Sequence, residues 1–258
     1  MNKNIKFHFA LSKLRLKGTV VVMCMMCALL FMVAGCGKQV DNPCEDLTPQ
    51  VKEYYYYNGI EIDNKDPLLL NTKYAFLYAK EPQLPVDIIQ RGIQASEFTK
   101  TNLERYQYKG VPGISRFRTE LTFEDDLTDE QYLKLLMEIK CKNNDVIVTP
   151  CYYRENEYSD NFYYIHKLNL TILFSVLLYD EKDAPLLEEM ADQMGCVIYY
   201  QEDFMPNMFR LNVTESLEMN ALECANYFQE SGLFIAARPE FVRSEVVNPN
   251  YEKIITFK

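Results

Sequence analysis

Leu168 to Tyr179 reads LNLTILFSVLLY, and Asp183 to Met194 reads DAPLLEEMADQM. The first is an almost unbroken apolar run of strand length, the pattern of a strand buried on both faces. The second is an amphipathic helix with Asp183 as its cap and Pro185 in its first turn. Cys196 to Tyr200 and Phe209 to Thr214 follow as strands. Leu217 to Ser231 is a helix stopped by Gly232, and Leu233 to Val242 is the closing strand. The order β-α-β-β-α-β predicts a ferredoxin-like unit over residues 157–243.

Upstream, a similar series can be read with less regular punctuation. Lys73 to Lys80 is a strand, Pro85 to Arg91 a short helix or turn, and Phe98 to Tyr108 holds a strand. Ser115 to Phe123 (SRFRTELTF) alternates as a strand does. Thr128 caps a helix that runs through Lys140, and Val146 to Tyr153 is a strand. Leu121, Phe123 and Leu127 match Leu211, Val213 and Leu217 at a constant offset, and Pro150-Cys151-Tyr152 matches Pro239-Glu240-Phe241. These echoes predict an α+β chain of two tandem ferredoxin-like (βαββαβ) units joined near Arg154 to Asn161. A hairpin precedes them: Tyr54 to Tyr57, then Asn58-Gly59, then Ile60-Glu61-Ile62. The first unit with its hairpin spans 51–156, and residues 244–258 form a C-terminal tail.

The front of the chain is of another kind. Lys3, Lys6, Lys13, Arg15 and Lys17 form a basic stretch without an acid, and Thr19 to Phe31 is an apolar run. Val33-Ala34-Gly35-Cys36 then supplies an apolar residue, two small ones and a cysteine, a lipobox at the end of a signal peptide. Roughly sixteen apolar residues are short for a membrane span. Residues 1–35 are therefore expected to be removed, with Cys36 lipidated and residues 36–50 serving as a polar tether. The full chain carries 27 Lys+Arg and 37 Asp+Glu, a formal charge of −10. Loss of the leader leaves 22 basic residues and a charge of −15, with His166 as the one histidine of the mature chain.

That balance excludes much. An acidic chain without a basic block does not neutralise phosphates, so nucleic acid is not an expected partner. Cysteines 44, 141, 151, 196 and 224 follow no tight framework and no zinc spacing, and single buried thiols are the plainer reading; Cys196 with Cys224 is the first pair to test. Glu124-Asp125-Asp126 with Asp129-Glu130, and Asp180 to Asp183, read as solvated helix starts rather than calcium sites. Asp63 to Asp66 lacks the glycine and terminal glutamate of a calcium loop. No Walker or G-x-G-x-x-G sequence occurs, and no cofactor or metal is expected. His166 lies beside no serine turn, and Gly113-Ile114-Ser115 lacks the second glycine of a nucleophile elbow.

Three stretches together carry a family resemblance. They are Asp203 to Leu211 (DFMPNMFRL), Asn220 to Phe234 (NALECANYFQESGLF) and Ala236 to Phe241 (AARPEF). They resemble the prodomain-like N-terminal region of bacterial subtilisin-like serine peptidases, over roughly residues 51–243 and most closely over 168–243. In that family a catalytic domain of several hundred residues follows, whereas seventeen residues follow Phe241 here. The resemblance implies that this lipid-anchored chain is non-catalytic and binds a subtilisin-like serine peptidase, inhibiting it or assisting its folding. It also implies a partner-binding tail formed by Val242, Arg243, Ser244, Glu245, Val246 and Val247, while the lipobox reading places the chain in the cell envelope, at the outer membrane. The alternative is a structural or adhesive surface lipoprotein whose Tyr-rich surface binds glycan or protein. Cys36→Ala is expected to move the protein from the membrane to the soluble fraction, read by fractionation and immunoblot.

Overall fold

The computed structural model describes residues 44, 47–58, 64–124, 127–154, 164–216 and 218–247. The leader, Cys36, the Gly59 to Ile62 part of the hairpin, the joint after Arg154 and the end of the C-terminal tail lie outside them. In chain order the first half holds β1 (Tyr54–Tyr57), β2 (Lys65–Ala79), α1 (Val86–Gln90), β3 (Gln94–Ala95), β4 (Thr99–Thr101), β5 (Gln107–Tyr108) and β6 (Val111–Pro112). It closes with β7 (Arg116–Thr122), α2 (Asp129–Lys142) and β8 (Val146–Arg154). The second half holds β9 (Tyr164–Leu177), α3 (Ala184–Met194), β10 (Val197–Glu202), β11 (Met205–Asn212), α4 (Ala221–Glu230) and β12 (Ala236–Val247).

These strands do not make two tandem ferredoxin-like units. They make one ten-stranded sheet in the order β10-β11-β9-β8-β2-β7-β3, with β12 added to β9, β1 to β2 and β4 to β7. Every pairing is antiparallel. The halves are joined through the sheet itself, where Cys151, Tyr152 and Tyr153 of β8 face Asn169, Leu168 and Lys167 of β9. In the first half the crossover helix shrinks to the five residues of α1, and the strand expected after it breaks into β3 and β4. Neither half closes on itself, because β8, paired with β2 along one edge, offers its second edge to β9.

Two long strands make this possible, and both are kinked in the same way. The register of β2 against β8 slips between Leu70 and Ala75, beside Pro150. The register of β12 against β9 slips between Pro239 and Phe241. A proline has no N–H to give to the ladder, so both slips sit where a bond is already missing. The backbone freed in the long strand bonds locally: Lys73 N–H donates to Asn71 Oδ1 (3.2 Å) and Leu173 N–H to Thr171 Oγ1 (3.0 Å). Phe123 N–H then donates to Lys73 O and Val213 N–H to Ile172 O, each at 2.9 Å. The equivalence of Phe123 and Val213, read as a sequence echo, is thus an equivalence of hydrogen bonds.

Polar side chains cross between the halves as well. Lys167 Nζ, on a side chain only 8% exposed, donates to both Glu120 oxygens at 2.8 Å, and Asn169 Nδ2 donates to Glu120 Oε2 at 2.7 Å. Arg116 pairs with Glu215. Such pairs contribute little net stability but fix which surfaces meet. On β1, Tyr56 donates to Asp66 Oδ2 (2.8 Å) and accepts from Arg154 (2.5 Å), tying β1, β2 and β8 together.

Helices cover the sheet according to their apolar faces. Tyr132, Leu136 and Ile139 of α2 pack with Ala75, Leu77, Leu121 and Val146. A larger core under α3 and α4 includes Leu187, Leu222, Phe228, Phe174 and Phe209, and it reaches Tyr56 and Tyr152 of the first half. Thr128 and Gln131 form a capping box at α2, and Asn220 and Glu223 form another at α4. Helix α4 thus begins at Ala221, later than the expected Leu217, because Asn220 takes the Leu222 and Glu223 N–H groups. Asp183 makes no side-chain cap for α3; it ends a 3-10 turn, Glu181–Asp183, which Asp180 caps instead. β1 pairs with Lys65 to Leu68 of β2, while Ile60 to Ile62, the expected partner, lie outside the described residues.

Cys44 and Cys141 form a disulfide, Cα atoms 5.9 Å apart, so the pair favoured for testing from sequence was the wrong one. It spans 97 residues, a closure worth about 4.7 kcal/mol in the chain-entropy account. Residues 44–258 form a single compact unit.

Tyrosines are the largest buried side chains, among them Tyr57, Tyr78, Tyr132, Tyr152 and Tyr199. Burial raises the phenol pKa of each, and pushes that of Tyr54 up to about 12. The folded chain therefore holds phenolic protons that the unfolded chain releases near the ordinary value of about 10. Their contribution is fully present below that value and is lost as pH rises above it. Urea unfolding followed between neutrality and strong alkali should give a stability that falls through pH 10 and beyond, together with a rise in tyrosinate absorbance.

Candidate functional site

The residues expected to form the partner-binding tail lie within the sheet. Val242 pairs with Asn169, Arg243 with Leu168, Ser244 with Lys167, Glu245 with His166, Val246 with Ile165 and Val247 with Tyr164. One edge of β12 is thus taken by β9, and no described strand pairs with the other. The start of that outer edge is protected. Gln229 Oε1 accepts the Ala237 N–H at 2.7 Å, and Pro239 has no N–H to offer. Beyond the kink, from Phe241 to Val247, no comparable cover is present among the described residues. Arg243 and Ser244 are exposed there.

A groove of about 450 Å³ lies elsewhere, between α2, β8 and the turn that leads into α4. Leu133, Leu136 and Met137 form one wall; Ile147, Val148 and Pro150 form the floor. Val213 and Met219 form the opposite wall, and residues 48–52 run along the rim, with Tyr54 and Tyr152 at one end. The rim segment is held in place by the disulfide to Cys141 at the end of α2 and by Lys52 Nζ on Glu223 Oε1 (2.5 Å). Burial lowers the pKa of the Lys140 ammonium, and the carboxylates of Glu218 and Glu223 oppose that shift. Tyr152 is fully buried, its ring 5.4 Å from that of Tyr54, and its hydroxyl has no hydrogen-bond partner among the described residues.

Comparison with protein-family models, with curated proteins and with solved structures returned no match. What the chain can do must therefore be read from its own residues.

His166 is exposed on β9. No group of three His, Cys, Asp or Glu side chains arranged to hold a metal occurs among the described residues. Asp129 and Glu130 occupy the first turn of α2, and Asp180 Oδ2 pairs with Lys182 Nζ at 2.8 Å, both in keeping with solvated helix starts. Cys151, Cys196 and Cys224 are buried free thiols, with the last two sulfurs 3.9 Å apart. Tyr55 and Tyr57, on the face of β1 away from Tyr56, both donate to Glu230 Oε1, at 2.6 and 2.8 Å. The tyrosine run thus binds the chain's own helix α4 as well as filling its core. The groove escaped the sequence reading because its walls come from stretches far apart in the chain. The two capping boxes beside it were the nearest available signals, and they mark helix starts, not cavities.

Two tyrosines separate a satisfied hydroxyl from an orphaned one. Tyr132 donates to Tyr74 O (2.6 Å) and accepts from Cys151 N–H (3.1 Å). Tyr132→Phe should therefore cost about 1–3 kcal/mol, since it strands a buried N–H. Tyr152→Phe should leave thermal stability unchanged or raised, since it removes a desolvated group that bonds to nothing among the described residues. Paired melting curves of the two variants check this.

Proposed function

We propose that this chain is an exported, lipid-anchored binding module whose partner is a subtilisin-like serine peptidase, engaged through the outer edge of β12. The observation that carries the reading is that no described strand pairs with the outer edge from Phe241 to Val247, on a strand fixed to β9 along its other edge. An extended segment of a partner can add to such an edge by main-chain hydrogen bonds. The residue types of Asp203 to Leu211, Asn220 to Phe234 and Ala236 to Phe241 supply the peptidase as the class of partner, through the resemblance described above. The Cys44–Cys141 disulfide supports export, because such bonds persist in oxidising compartments. In this reading the segment Val242 to Val247 acts as a sheet edge and not as a loose tail threaded through the enzyme.

The test is inhibition of a subtilisin-like peptidase from the same envelope, measured with stoichiometric protein and a peptide substrate. Proline is then placed in turn at Arg243 and at Ser244, neighbours whose N–H groups point to opposite edges. The substitution on the outer edge should weaken inhibition about tenfold or more while the melting temperature holds. The one facing β9 should lower the melting temperature. An absence of slowing for every envelope peptidase tried, or equal inhibition by both variants, would overturn the proposal.

A further inference from the structure

We propose that Cys196 and Cys224 are a modification site: a thiol pair that a small disulfide-bearing molecule oxidises to a second disulfide within the folded chain. Their sulfurs lie 3.9 Å apart in the core, and both are free thiols in this structure. The backbone at each is fixed. Gly195 takes a left-handed conformation (φ 71°) at the end of α3, and the Cys196 N–H then donates to Ala191 O at 2.9 Å. Cys224 lies just behind the capping box of α4, its N–H donating to Asn220 O at 2.9 Å. Only the two side chains have to turn, bringing sulfurs already near contact to a bonding distance of about 2.05 Å. Closure would bolt α4 to the turn between α3 and β10. Cys151, the third buried free thiol, gives a contrast inside the same molecule, with its sulfur 3.9 Å from Tyr152 O.

Access separates the two residues and sets the order of reaction. Cys196 lines a cleft of about 300 Å³ between the β5–β6 hairpin and α3, whereas Cys224 is fully buried. The hairpin is held to α3 through one carboxylate oxygen: Tyr108 Oη at 2.7 Å and Lys109 Nζ at 2.6 Å both donate to Glu188 Oε1. Opening of the hairpin there uncovers Cys196 first. The Cys196 thiol loses its proton and its sulfur attacks one sulfur of R–S–S–R, forming Cys196–S–S–R and releasing R–SH with that proton. The Cys224 sulfur, losing its proton in turn, attacks the Cys196 sulfur and releases the second R–SH. Two thiols are oxidised and one external disulfide is reduced, with no other reactant. The site is separate from the β12 edge and stands or falls independently of the peptidase reading.

Bis(2-hydroxyethyl) disulfide is the probe, incubated with the folded full chain, which is then alkylated, digested without reduction and mapped by mass spectrometry. Linked peptides carrying Cys196 and Cys224 are expected, whether present on purification or formed during incubation, while Cys151 stays a thiol. Cys224→Ser and Cys224→Ala, two variants in case one fails to fold, should each stop at a hydroxyethyl adduct on Cys196. Cys196→Ser should leave Cys224 unmodified. Tyr108→Phe with Lys109→Ala frees the hairpin from Glu188 and should speed modification of Cys196 in the Cys224→Ser background about fivefold. Linkage that forms only in denaturant, an adduct on Cys224 in Cys196→Ser, or Cys151 reacting as fast as Cys196 in the folded chain would overturn the assignment.

Discussion

A strand has two edges, and β9 has three neighbours. It pairs with β12 along one side, and divides the other between β8 at Lys167 to Asn169 and β11 at Leu173 to Leu177. β2 solves the same problem, with β8 on one side and β1 then β7 on the other. Everything else depends on this sharing. If β9 ran straight, β8 and β11 would compete for one edge, and the halves could not form a continuous sheet. The kinks at Asn71 and Thr171 turn each strand partway along its length, and their side chains satisfy the N–H groups that the turn would orphan.

The aromatic core follows the same geometry. Tyr152 and Phe241 each stand two residues beyond the proline that marks a kink, and their rings meet edge to face at 6.4 Å. Tyr56 from β1 closes on Phe241 at 5.7 Å. Strands from both halves thus converge on one aromatic cluster at the junction. The groove opens nearby, where β8 and β9 diverge toward different neighbours and α2 and α4 stand apart. The junction that unites the sheet also leaves a space beside it.

Much of the local structure was legible in the sequence. The run from Leu168 was read as a buried strand because Thr171, at its kink, is compatible with strand conformation. In the first half Asn71-Thr72 interrupt the apolar run, so the corresponding strand reads as starting at Lys73. The same device was hidden in one half and mistaken for a strand end in the other. Pro150-Cys151-Tyr152 and Pro239-Glu240-Phe241 did signal the kinks, yet they looked like a repeat of whole units. What could not be read was the pairing of β8 with β9, since register between distant strands leaves no periodic trace. The groove was hidden for the same reason. Its lining is assembled by tertiary contacts, and no single stretch of residues announces it.

The disulfide at Cys44 changes how far the molecule could stray from a surface. Seven residues lie between Cys36 and Cys44, and the eight steps of a fully extended chain reach about 28 Å at most. Were the whole stretch to Gln50 free, the radius would be far larger. A lipid on Cys36 would thus confine the end of α2 to a thin layer above the bilayer, on the order of one domain's width. Any partner anchored in the same leaflet would be searched for in two dimensions, at an effective concentration set by that short leash. Reducing one covalent bond would lengthen the leash without altering a single residue of the sheet.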